Sequence, residues 1–153
     1  MCYAAITAVV DYVCWLGGKF IDSIDRRALF KEGMRRIHLQ EHSLLVYMLE
    51  GTEEVPGLRH IPGVTVFFDR PDDSDGDLIS AIGIDGMDLT KAVEEYYKRG
   101  VTVFDRLDSS LYSKRILESL GITACIRVSP LHCHSTDDID DFLRVTAEVA
   151  KIK

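Results

Sequence analysis

Positive charge is in short supply. Eighteen lysines and arginines face 25 aspartates and glutamates, giving a formal net charge of −7 over 153 residues. With a pI near 5.2, the chain lacks the electrostatic footprint of a nucleic-acid or anionic-membrane partner. Long apolar runs are missing too. The most apolar stretch, Tyr3 to Leu16, is interrupted by Asp11 and is shorter than the roughly 20 residues a bilayer crossing needs. It has no basic leader and runs into Gly17-Gly18 instead of a cleavage site, so no signal peptide is expected. Cysteine is sparse, and Cys2, Cys14, Cys125 and Cys133 show the spacing of neither a disulfide framework nor a zinc ribbon. Reduced thiols in a cytoplasmic protein are the expectation.

What is present is ordinary for a soluble globular chain, with 46% hydrophobic and 28% charged residues. That length holds one domain with a real core, or one domain and an appended piece. Ala4, Ala5, Ala8, Val9, Tyr12, Val13 and Leu16 form a broad helical stripe that Ile6, Val10 and Trp15 widen. A helix apolar nearly all round needs burial on more than one side. Asp22 to Leu49 then reads as one long helix, capped by Asp22 or Ser23 and ended by Gly51-Thr52. Within it, His38-Leu39-Gln40-Glu41-His42 matches the inverted zincin pattern, which puts two histidines on one helical face. Zinc would need a third ligand and a protease scaffold around Glu41. A solvated charged face is the better reading, and no metal is assigned.

Pro56-Gly57 and Pro62-Gly63 mark a connector. Val64 to Phe68 alternates as a strand. Arg70 to Asp77 is an acidic loop without the distal glutamate of a calcium site. Leu78–Ile84 and Val101–Phe104 read as further strands. Helices are expected from Leu89 to Arg99, capped by Asp88, and from Ser109 or Ser110 to Leu120, stopped by Gly121. The pattern predicts an α+β fold: a two-layer sandwich of a small, mainly antiparallel sheet with helices on one face, preceded by two N-terminal helices.

The stretch Ala124 to Asp140 carries the chemistry. Ile126 and Val128 flank Arg127, so period-two alternation turns the arginine away from the face they bury. Pro130 ends the strand. Ser135 and Asp138 form a capping box, and Ile139, Phe142, Leu143, Thr146 and Val149 make the stripe of an amphipathic helix. An arginine at a strand end beside a helix start suits an anion, and its fork grips a carboxylate bidentately. The alternative left open is a structural ion pair with Asp105, Asp108 or a helix-end acid.

Arg127-Val-Ser-Pro-Leu-His132, followed by Ser135, Asp138-Ile139-Asp140 and Phe142-Leu143, resembles the C-terminal signature of class V aminotransferases. These fold-type I pyridoxal-phosphate enzymes include cysteine desulfurases, selenocysteine lyases and isopenicillin N epimerase-like proteins. Cys133 and His134 depart from the Tyr and Asn that family favours. The resemblance implies that residues 1–52 are a helical segment linking to an absent cofactor-binding large domain, and that 53–153 are the small domain. It implies substrate-binding roles for Arg127, at the α-carboxylate, and for His132 and His134 beside it. The family's Schiff-base lysine, in a Ser-x-His-Lys-like context, matches none of the lysines here. Pyridoxal phosphate is therefore expected in the full-length enzyme and not in this chain, which should be inert alone and supplies no catalytic residue of its own. Ser109 stands where desulfurases place their cysteine, and its hydroxyl barely ionises, so persulfide formation is disfavoured while transamination, epimerisation or C–S lysis stays open. The implied partners are an amino-acid substrate and a second copy, with no nucleic acid or membrane. The competing expectation is a non-enzymatic module that self-associates through its apolar first helix.

Overall fold

Local signals set the last helix. In a computed structural model, which describes residues 2–70 and 76–152, Ser135 accepts a hydrogen bond from the Asp138 amide while the Asp138 carboxylate accepts one from the Ser135 amide at 2.7 Å. That box opens α5 (Thr136–Val149), whose buried residues are the five of the sequence stripe. The two amide and hydroxyl donors of Ser135 hold the Asp138 carboxyl below the usual carboxylate range.

The remaining elements are α1 (Cys2–Gly17), α2 (Arg26–Glu50), a 3-10 turn (Leu58–His60), β1 (Val64–Phe67), β2 (Ser80–Ile84), α3 (Leu89–Lys98), β3 (Phe104–Leu107), α4 (Lys114–Leu120) and β4 (Ala124–Val128). The strands form one antiparallel sheet in the order β1-β2-β4-β3. The expected two-layer α+β sandwich is what forms, with two helices before it. α3 and α5 cover one face, burying Ile82, Ile84, Ile126 and Val128 with Tyr96, Phe142 and Leu143. Leu44, Leu45, Met48 and Leu49 from the end of α2 join the same core. The short α4 stands at the opposite face, where Leu117 and Leu120 share a cavity wall with Cys125. No helix among the described residues is long and apolar enough to cross a membrane.

Tyr96 is fully buried in that core, its hydroxyl donating to Thr146 Oγ1 at 2.9 Å, and burial pushes the phenol up to about 12. The core thus contains one satisfied polar pair in an otherwise apolar filling.

Four boundaries differ most from the sequence reading. One is the start of α4, which lies at Lys114 and not at Ser109 or Ser110, because the Ser113 and Lys114 amides both donate to Ser110 O in a turn before the helix. The cap of α2 is Asp25, which accepts from the Arg27 amide, while Ser23 accepts from the Asp25 amide one turn earlier. The second strand begins at Ser80, because Leu78 is spent in the core and the Ile79 amide closes a turn on Asp77. The third strand is Phe104–Leu107, not Val101–Phe104. The Val101 amide donates to Tyr96 O and closes α3, so it is unavailable to a ladder. Most of the acidic stretch read as a loop, residues 71–75, lies outside the described residues.

α1 and α2 pack as an antiparallel pair at glycine contacts. A Cβ at Gly33 would fall 2.1 Å from Val13 O, and one at Gly17 would fall 1.9 Å from Leu29 O. α1 buries Val13 and Cys14 there but leaves Tyr3 88% and Trp15 58% exposed, with Ile6 and Val9 also open.

Candidate functional site

Because Ile126 and Val128 point into the core, Arg127 emerges on the sheet's other face, opposite Ala81 on β2 and Phe104 on β3. It borders two cavities of about 400 and 410 Å³. The first lies between the 100–104 segment, the turn after β4 and the start of α5; the second lies between the sheet and α4. Arg127 Nε is buried and has no hydrogen-bond partner among the described residues, nor does the side chain form an ion pair there. Leaving such a donor unmet typically costs about 1–3 kcal/mol.

The structural ion pairs left open by the sequence do not form. Asp105 pairs in register with Ile126, facing away from Arg127, and accepts from Thr90 Oγ1 at 2.7 Å. Asp138 is engaged by Ser135. Arg59 shows what an arginine used for structure looks like in this fold. It donates to Glu50 at 2.5 Å, to both oxygens of Asp69 and to Arg70 O at 2.9 Å. It holds the Asp69 carboxyl below its usual range, and the His60 bond followed by Arg59 does the same to Glu50. Among the described residues, Arg127 has none of this.

The two histidines separate. His134 lines the first cavity together with Arg127, and its Nδ1 accepts from the Leu131 amide at 2.9 Å. His132 turns the other way. Its Nε2 and the Tyr12 hydroxyl share a hydrogen bond of 2.9 Å, and its Nδ1 lies 3.8 Å from Glu41, so it ties the post-β4 turn to α1 and α2. Glu41 therefore faces His132, while the His38 and His42 rings sit 6.4 Å apart on α2. No group of three His, Cys, Asp or Glu able to hold a metal exists among the described residues. Ser109 is exposed in the turn after β3, and Tyr112 is 98% exposed.

Sequence reasoning missed Arg106. It lies on β3 directly opposite Cys125, on the same face as Arg127, and lines the second cavity. Burial pushes the Cys125 thiol up, with the Arg106 charge pulling the other way. Placing the third strand three residues early left Arg106 in a presumed turn; its alternation with Phe104 was the available signal.

Neither cavity at Arg127 has a lysine in its lining. A Schiff base needs an amine, so these residues do not fit pyridoxal phosphate as a resident group.

No family model and no curated protein matches the chain. Solved structures do resemble its fold. One is a cysteine desulfurase from Thermococcus onnurineus NA1 in its apo form, at TM-score 0.63 and 21% identity over 82% of this chain. Another is the cysteine desulfurase CsdA from Escherichia coli, as its S-sulfonic acid, at TM-score 0.59 and 14% identity over 85%. The chain spans only 29% and 32% of those two proteins.

Proposed function

We propose that this chain is the small-domain part of a pyridoxal-phosphate enzyme of the class V aminotransferase type, and that Arg127 holds the α-carboxylate of its amino-acid substrate. In this reading residues 53–153 are the small domain and 1–52 the linking helical segment. The observation that carries it is a guanidinium at the edge of two cavities whose buried Nε has no partner among the described residues, in a fold that saturates Arg59 with acids. The likeness of the fold to two cysteine desulfurases supports it.

The cofactor belongs, in this reading, to the larger remainder of such an enzyme, and this chain acts on the substrate alone. Arg127 fixes the carboxylate and so the orientation of the bonds at the substrate α-carbon. His134 borders the same cavity, and His132 steadies the turn between them through Tyr12. No cysteine lies between Val101 and Gly121, so sulfur acceptance by this region is not proposed. Transamination, epimerisation or C–S lysis makes no demand for one. In the enzyme carrying this domain, Arg127→Ala should lower kcat/KM for an amino-acid substrate by about a hundredfold or more. Values of kcat and KM within about twofold of the unmodified enzyme would remove the anchor assignment.

A second reading rests on the open side of α1, whose Tyr3, Ile6, Val9 and Trp15 are exposed. A non-enzymatic module would use that face to self-associate. Sedimentation of the chain and of Ile6→Ser/Trp15→Ser tests it, because a monomer at every concentration excludes self-association.

A further inference from the structure

Arg127 is not the sheet's lone open cation. Arg106 is opposite Cys125 in the β3–β4 register, and Arg127 is two residues further along β4. Both therefore project from one face as diagonal neighbours, roughly 7–8 Å apart at their roots. Both line the cavity of about 410 Å³ under α4. Neither has an ion pair or a side-chain hydrogen bond among the described residues. Among the described residues, that cavity has no aspartate or glutamate in its lining. Two like charges kept together without an acid repel each other, and no described residue pairs with either of them.

We propose that Arg106 and Arg127 form a two-point site for a small dianion, so that the substrate is an amino acid whose side chain carries a second acid group. The assignment rests on the α-carboxylate reading of Arg127 and extends it. Arg127 takes one carboxylate and Arg106 takes the distal one. Between them the substrate's methylenes lie against Ile116, Leu117 and Leu120 of α4, an apolar wall that a spacer can fill. Ser113 makes no capping bond to α4 and lines the same space, leaving its hydroxyl available to the distal acid. A substrate with one carboxylate would leave the Arg106 charge unanswered, which is the basis of discrimination.

The test uses the chain labelled with nitrogen-15, titrated at constant ionic strength with glutarate or butyrate while the arginine Nε–H resonances are followed. Glutarate should bind at least about tenfold more tightly than butyrate. Arg106→Gln should bring that ratio close to one and leave butyrate binding in place. Arg127→Gln should abolish both. Arg106→Lys, which keeps the charge and loses the fork, should retain part of the preference and serves if Arg106→Gln does not fold. Equal affinities in the unmodified chain, or an unchanged ratio in a folded Arg106→Gln, overturn the dianion site; loss of butyrate binding in Arg127→Gln would then leave the Arg127 anchor standing. Butyrate binding that survives Arg127→Gln, or no binding of either acid, overturns both.

Discussion

The two faces of the sheet are built from alternate residues of the same strands and have opposite characters. One face presents Ile82, Ile84, Ile126 and Val128 and is closed by α2, α3 and α5. The other presents Ala81, Cys125, Arg106 and Arg127, with cavities where the first face has packing. A sheet covered on one side and open on the other normally carries scattered, solvated polar residues on the open side. Here, among the described residues, the open side instead places two cations beside apolar side chains in a cavity whose lining has no acid. Under the proposed reading, the small residues make room and the charge is left for an incoming group.

The sharpest way to break this contrast is to substitute neighbours on β4. Ile126→Ala should cost about 2–5 kcal/mol in denaturant unfolding, since it opens a cavity in a filled core. Arg127→Met, one residue away, should leave unfolding stability unchanged or raise it, because it removes an unmet buried donor. If both variants destabilise equally, the two faces are not functionally distinct.

A smaller effect tests the support of the site. Ser135→Ala removes one arm of the capping box that starts α5 beside the first cavity, and should cost about 0.5–2 kcal/mol in thermal or denaturant unfolding. Acid sharpens the comparison most finely. Glu95, bonded to Lys98 at 2.7 Å and to Arg99 at 2.6 Å, is lowered from the ordinary 4.5 to about 2. Its folded-state value lies below the unfolded one, so its contribution is complete above about 4.5 and fades as the pH falls toward about 2. The surface pairs on α3 should therefore weaken in that window, and Glu95→Gln should flatten the response measured by circular dichroism. Arg127, with no carboxylate partner among the described residues, should give no such response when it is replaced by Met.

Much of this was legible in the residues. The Asp88 cap accepting from the Lys91 amide, the left-handed Gly121 that ends α4, and the buried stripe of α5 all follow from spacings within about one or two turns of chain. The outward turn of Arg127 was equally readable, because its neighbours are apolar and strand alternation is strict. The start of β3 was not. Val-Thr-Val-Phe has the composition of a strand, but its first amide belongs to the end of α3, and only the position of β4 shows where pairing begins.

By itself, then, the order of residues determined which elements form, the caps of α3 and α5, and the side of the sheet on which Arg127 stands, since these depend on contacts a few residues apart. Only the tertiary arrangement decided that His134 stays with Arg127 while His132 leaves for Tyr12, 120 positions away, and that Arg106 joins the second cavity. It also decided that Asp105 is engaged by Thr90 and Asp138 by Ser135. Which charges meet is fixed by how strands and helices are laid across one another, and no local spacing carries that information.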